Sequence, residues 1–184
     1  ANSNYDITFV PADFSVSKAS LIISPTSDQS KNYGQADPRF TYTATGYINN
    51  SNVQDTNSNV TITGSLSRAP GESINTYAYS ASGMSASNYN IQLVNTPSTF
   101  EILPAPIGIT ISGRYSGTTT VSPTSFTVTG LAAGETISAI SSAEVKYSNV
   151  SSNGTNYVTS VVGVSGSATM NNYYITTAYN GALN

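Results

Sequence analysis

Apolar and polar residues alternate with a period of two over most of the chain, and the apolar members are chiefly Val, Ile, Leu, Phe and Tyr. Alternation built from β-branched and aromatic residues is the mark of half-buried strands. It predicts strands over residues 5–9, 14–17, 21–24, 40–45, 60–64, 75–80, 89–94 and 99–103. It predicts further strands over 108–112, 125–129, 143–147, 157–162 and 173–178. Clusters of Gly, Pro, Asn and Asp fall between them and predict turns: 33–38, 46–52, Ala69-Pro70-Gly71, Ser82-Gly83, Asn153-Gly154 and Asn180-Gly181. An apolar stripe with the 3.6-residue helical period is nowhere sustained, and residues 131–142 have room for one helical turn at most.

The pattern also recurs. Asn4-Tyr5-Asp6-Ile7, Asn88-Tyr89-Asn90-Ile91 and Asn172-Tyr173-Tyr174-Ile175 are one phrase at a spacing of 84 residues (88 − 4 and 172 − 88). Gly46 and Gly130, each closing an alternating stretch, keep the same spacing (130 − 46 = 84). A period this long describes tandem domains that each have their own core, not a solenoid. Phe14-Ser15-Val16-Ser17-Lys18-Ala19 and Phe100-Glu101-Ile102-Leu103-Pro104-Ala105 mark matching unit ends, each followed at once by a new strand. The expected organisation is a tail hairpin of a preceding repeat at 1–19, one repeat at 20–105 and a second at 106–184 lacking its last strand. The junction has almost no linker, and Pro104 and Pro106 stiffen it. The predicted fold class is all-β: tandem antiparallel sandwiches of immunoglobulin-like character in a linear array. The alternative is a β-grasp-like unit with one short helix each.

Composition narrows the function. Only 8% of the residues are charged, against roughly 25% in an average soluble protein, so Ser, Thr and Asn carry the solubility. The six basic residues are scattered singly (Lys18, Lys31, Arg39, Arg68, Arg114, Lys146), which argues against nucleic acid. No run reaches the length of a membrane span. Ala1-Asn2-Ser3-Asn4 reads as mid-domain sequence, so targeting information is expected outside these residues. Cys, His and Trp are absent, which removes thiol, zinc and histidine acid–base chemistry. A cysteine-free chain of this kind suits a bacterial exported protein better than a disulfide-stapled extracellular module.

Two groups of phrases carry a resemblance. The first repeat contains Asn32-Tyr33-Gly34-Gln35-Ala36-Asp37-Pro38, then Arg68-Ala69-Pro70-Gly71-Glu72 and Tyr77; the second contains Arg114-Tyr115-Ser116-Gly117-Thr118-Thr119-Thr120. The first group resembles the MBG domain, with its Tyr-Gly-x-x-Asp-Pro phrase. The second resembles the YDG domain, with Ser116 standing where that family has Asp. The resemblance implies repeats of large secreted bacterial surface adhesins of the filamentous-haemagglutinin kind. It implies no catalytic residues.

The candidate chemistry is correspondingly sparse. Asp37, Asp55, Glu72, Glu101, Glu135 and Glu144 do not cluster in sequence, so neither an acid–base pair nor a calcium loop is predicted, and no cofactor is expected. Glu72 and Glu135 each follow a turn glycine and read as turn carboxylates accepting a backbone N–H. Each of the three lysines reads as a surface residue. Thirteen tyrosines against five phenylalanines stand out. Tyr5, Tyr89 and Tyr173 share a repeat position and read as corner tyrosines whose hydroxyls satisfy a turn; Tyr33 and Tyr115 precede turn glycines and read as structural. Tyr42, Tyr77, Tyr79, Tyr147 and Tyr157 lie in strands, where exposed rings would suit a glycan or protein ligand.

The expected function is a structural stalk of a secreted or surface-anchored bacterial protein that projects a distal binding domain. The first alternative is an adhesive module that holds a host or matrix glycoprotein through exposed tyrosines. The second is a head-to-tail filament. There Phe14 and Val16 belong to an orphan strand that fills the gap left by the missing last strand in another copy. The expected partners are neighbouring repeats of the same chain and other copies of it. Nucleic acid, membrane insertion and enzymatic activity are not expected.

Overall fold

The computed structural model describes residues 4, 8, 10–94, 98–114, 116–149 and 155–176. The predicted strand at 5–9, Tyr5, Tyr115, Asn184 and the turns at Asn153-Gly154 and Asn180-Gly181 lie wholly or mostly outside them. The first run of strands is β1 (Ala19–Pro25), β2 (Ser30–Asn32), β3 (Tyr42–Thr45), β4 (Ile62–Thr63) and β5 (Ser67–Arg68). It continues with β6 (Asn75–Tyr77), β7 (Tyr79–Ser80), β8 (Ser85–Ala86), β9 (Tyr89–Leu93) and β10 (Phe100–Leu103). After Pro104 come β11 (Ala105–Gly113), β12 (Thr120–Val121), β13 (Pro123–Thr129), β14 (Ile137–Val145), β15 (Val158–Gly166) and β16 (Tyr173–Ile175). A 3-10 turn at Met170–Asn172 is the only helical element among the described residues, and the protein is all-β.

No strand pairing crosses Pro104 among the described residues, so two units can be treated in turn. In the first, β3-β1-β9-β8-β4 form one sheet, β2-β10-β6 a second, and β5 pairs with β7. In the second, β13-β11-β16 face β12-β14-β15. Three of the sheets are mixed, since β1 runs parallel to β9, β2 to β10 and β11 to β16, whereas β12-β14-β15 and β5-β7 are purely antiparallel. Each parallel pair joins strands far apart in sequence, a connection that alternation within a strand does not encode.

Alternation places the core. Leu21 and Ile23 of β1 point inward, as do Phe100 and Ile102 of β10 and Ile107, Ile109 and Ile111 of β11. Burying a side chain of this size contributes about 1.5–3 kcal/mol. Phe40 closes the first core edge-to-face on Phe100 and Tyr79, with ring centroids 5.0 and 5.5 Å apart. The repeat is visible in the backbone too. Ala19 pairs with Tyr89 as Ala105 pairs with Tyr173. Gly46 and Gly130 share φ values of +93° and +87°, and a Cβ there would press on the carbonyl of Ser20 or of Pro106.

One expectation is corrected. Residues 10–18 are not in a strand, and Phe14 and Val16 stand 90% and 83% exposed. Alternation makes a strand only where a partner supplies the ladder. Residues 131–142 form a turn at 132–135 followed by the start of β14, within the expected limit of one helical turn at most. In the second unit Ile107, Ile109, Ile111, Val145 and Val158 form the buried core.

Candidate functional site

Among the described residues, the two units meet through the loop that follows β2. β2 lies beside β10 in parallel register, Leu103 opposite Asn32, so the residue after β2 sits where the chain leaves the first unit. That residue is Tyr33, whose N–H donates to the Leu103 carbonyl at 2.8 Å. Its side chain packs against the cores of both units. The Tyr33 hydroxyl donates to Glu135 Oε1 at 2.5 Å, and the Tyr173 hydroxyl donates to Glu135 Oε2. The two rings meet edge to face, 5.4 Å apart at 87°.

Each part has a local cause. Glu135 is held by a turn in which its own N–H donates to the Ala132 carbonyl at 3.1 Å. Gly134 takes φ +83° in that turn. The Tyr173 hydroxyl accepts the Ala132 N–H at 2.9 Å while donating to Glu135, so it spans the turn. Gly34, at φ +77°, lets the loop touch the second unit: a Cβ there would lie 2.6 Å from Ala132 Cβ. Glycine meets both demands at no steric cost. The Glu135 bond, helped by burial, pushes the Tyr33 hydroxyl above its ordinary pKa. Burial, reinforced by Glu135, pushes Tyr173 up to about 12.

Behind this loop lies a cluster of four charges. Arg68 grips Asp37 through Nε to Oδ2 at 2.7 Å and Nη2 to Oδ1 at 2.9 Å, and reaches Glu72 Oε1 at 2.6 Å. Lys31 contacts Asp37 Oδ1 at 2.7 Å and also Glu72. The guanidinium stacks over the Tyr77 and Phe100 rings, 4.8 and 5.3 Å from their centroids. Lys31 and Asp37 flank the segment 33–36, so the cluster pins both ends of the loop that carries Tyr33. The bond from Arg68, with Lys31 adding to it, holds the Asp37 carboxyl below its usual range. Lys31, with Arg68 adding to it, does the same for Glu72. Burial pulls Lys31 down, but Asp37 and Glu72 outweigh it and the net shift is upward.

The expected pH response follows from these directions. A lowered carboxylate contributes stability that is complete above its ordinary value, 3.8 for Asp37 and 4.5 for Glu72, and is lost as pH falls through the lowered folded-state value. The urea midpoint of the first unit is therefore expected to stay level down to the ordinary carboxylate range and to drop below it. Arg68→Gln should lower the midpoint at neutral pH and flatten that acid limb, whereas Arg39→Gln should do neither. An acid limb of the same depth in Arg68→Gln would exclude the cluster as its source.

Several sequence readings change here. Tyr89 and Tyr173 are corner tyrosines as expected, the Tyr89 hydroxyl accepting the Ile48 N–H at 2.9 Å. Glu135 is not a carboxylate for its own turn but the acceptor for two tyrosines. Lys31 is not a surface residue: its side chain is buried between two carboxylates, which neutralise it. The candidate ligand tyrosines scatter. Tyr79 lies in the core and accepts from Gln29 at 3.0 Å, so its ring offers no surface. Tyr42 and Tyr77 are half-buried against the first core, Tyr77 donating to the Ser73 carbonyl at 2.7 Å. Tyr157 is half-buried and Tyr147 43% exposed, at the paired ends of β14 and β15. Ring contacts among the described residues pair none of these five with one another. Tyr33 and Glu135 could have been suspected from two turn glycines, Gly34 and Gly134, each next to a polar side chain.

No curated protein and no solved structure matches the chain. A family model does: the MBG domain (YGX type) matches residues 21–100, the span of the first unit that carries Tyr33, Gly34 and the four-charge cluster.

Proposed function

We propose that this chain is a length of stalk in a secreted bacterial surface protein, in which successive β units are locked end to end to hold a binding domain away from the cell. The observation that carries the reading is the joint. Tyr33 is packed into two cores, its hydroxyl shares Glu135 with Tyr173, and Gly34 touches Ala132. A flexible linker has no use for such contacts, whereas a strut needs them. Similarity of the first unit to a repeat domain typical of surface proteins supports the same reading. The test is solution scattering of the chain together with a glycan array. One fixed relative orientation of the units and no saturable binding is the expected result. A scattering curve that requires freely reorienting units would overturn it, and tight glycan binding would favour the adhesive module.

A second reading rests on a different observation. Phe14 and Val16 are exposed, yet they occupy the phrase whose other copy places Phe100 and Ile102 at 0% exposure inside the first unit. A strand of that type can complete a unit in another copy, head to tail, and an open contact of this kind builds filaments. Sedimentation at high concentration distinguishes the two. Multimers that vanish when residues 1–17 are removed support strand donation, and a strictly monomeric chain rules it out.

A further inference from the structure

The joint at Glu135 has a counterpart at the other end of the first unit. Tyr89 and Tyr173 occupy the same repeat position, and each hydroxyl accepts a backbone N–H from the residue two places after a positive-φ glycine. These donors are Ile48 after Gly46 and Ala132 after Gly130, both at 2.9 Å. Each hydroxyl also donates to a carboxylate, Asp55 in one case and Glu135 in the other. Asn88 and Asn172 precede the two tyrosines, and Asn172 lies beside the Tyr33 hydroxyl in the existing joint.

The two corners differ in occupancy. Glu135 uses both oxygens, one for each tyrosine. Asp55 receives the Tyr89 hydroxyl on Oδ2, while its Oδ1 accepts no hydrogen bond among the described residues. Beside it runs an open groove of about 240 Å³, lined mostly by polar atoms of Asp55, Thr61, Asn88 and Tyr89. Ile48 stands where Ala132 receives Gly34, and it is 38% exposed. The chain approaches this corner through Phe14-Ser15-Val16-Ser17, the phrase that in its other copy is β10 and carries the carbonyl on which Tyr33 is anchored.

We propose that the Asp55–Tyr89 corner is a docking site for the Tyr-Gly-x-x-Asp-Pro loop of another unit of the same kind, a second copy of residues 20–103. The loop tyrosine of that copy donates its hydroxyl to Asp55 Oδ1, as Tyr33 donates to Glu135 Oε1. Its main-chain N–H stays on the carbonyl of that copy's own last strand, as Tyr33 stays on Leu103. Its glycine faces Ile48, whose bulk against Ala132 makes this joint slightly wider. The inference deepens the stalk reading and rests on it: one knob and one socket per unit would let such units stack with the same geometry at every step.

The test is a chain in which a copy of residues 20–103 replaces residues 1–17, so that three units lie in line. Residual dipolar couplings report whether neighbouring units share one alignment. The expected result is one common alignment for all three. Asp55→Ala, or Tyr-to-Phe at the position of Tyr33 in the added copy alone, should free the added unit and leave the Glu135 joint intact. The second variant removes only a hydroxyl from a loop, so it does not depend on how well the corner folds without Asp55. If the added unit tumbles independently while the other two stay coupled, the docking proposal is wrong and the stalk reading survives. Should the original pair also tumble independently, the stalk reading fails first. An added unit that stays coupled in both variants docks by some other contact, which likewise overturns the proposal.

Discussion

Phe100→Ala is expected to lower the stability of the first unit by about 3–5 kcal/mol, the usual cost of truncating a buried aromatic ring. The loss is at the upper end of single-substitution effects because three structures lean on this ring. It is fully buried, it receives the edge of Phe40, and it lies under the Arg68 guanidinium. Removing it opens a cavity beneath the charge cluster and loosens the backing of the Tyr33 loop. Small domains have roughly 5–15 kcal/mol in total, so the unfolding transition of the first unit should move to much lower urea. The second unit, whose core contains neither Phe100 nor Phe40, should keep its own transition. Phe14→Ala is the matched control. The same phrase places Phe14 in solvent, 90% exposed, and surface changes of that kind stay within about 0.5 kcal/mol. Equal losses in the two variants would mean that Phe14 is packed in solution and that residues 10–18 are not free.

The contrast between these two phenylalanines shows how far the sequence can be read. Alternation of Leu21 with Ile23, of Phe100 with Ile102, and of Ile107, Ile109 and Ile111 located strands correctly because the inward members are large and the outward ones polar. The same alternation at Phe14 and Val16 misled, since side-chain pattern says which face would be buried but not whether a neighbouring strand exists to bury it. Strand ends were blurred for a similar reason. β14 begins at Ile137 and not at residue 143, because Ser138, Ser141 and Ser142 hide an ordinary edge-facing pattern. The corner tyrosines were legible because repetition exposes them, and repetition needs no knowledge of the fold.

The joint was not legible, and its chemistry explains why. Tyr33 and Glu135 are 102 residues apart, and their hydrogen bond depends on how two units are set end to end. Neither residue breaks a local pattern. Lys31 was misread on the same ground: its sequence neighbours are polar, but its partners Asp37 and Glu72 come from the following loop and a distant turn. Pairing, not neighbourhood, decides whether a lysine can be buried. Gly34 and Gly134 were the available clues, since each takes a conformation that only glycine adopts freely.

Glu135→Ala is expected to disconnect the units without unfolding either one. The substitution takes the acceptor from two tyrosine hydroxyls at once. Tyr173 keeps its bond from the Ala132 N–H and its place in the second core, so that unit should lose only about 1–3 kcal/mol, the usual cost of leaving a buried polar group short of a partner. Tyr33 loses its acceptor and is left with the Asn172 side chain beside its hydroxyl, so the joint then rests on edge-to-face packing of its ring and on the Gly34–Ala132 contact. Gly34→Val attacks the same joint from the other side, because a Cβ at that position falls 2.6 Å from Ala132 Cβ and φ is +77°. Both variants should turn a single fixed arrangement in solution scattering into a spread of orientations. A second readout separates Glu135 from general damage. Both tyrosines are raised above the ordinary value of 10, Tyr173 to about 12. A raised pKa contributes stability that is complete below the unfolded value and is lost as pH rises through the folded one. The parent should therefore lose this contribution on the alkaline side, between pH 10 and about 12. In Glu135→Ala the tyrosinate absorbance of Tyr33 and Tyr173 should appear at lower pH, with burial still holding Tyr173 above the exposed tyrosines. In Gly34→Val the Tyr173 titration should stay close to the parent's, because the bond within the second unit survives. If Glu135→Ala leaves both the scattering and the tyrosine titration unchanged, the shared carboxylate does not couple the units.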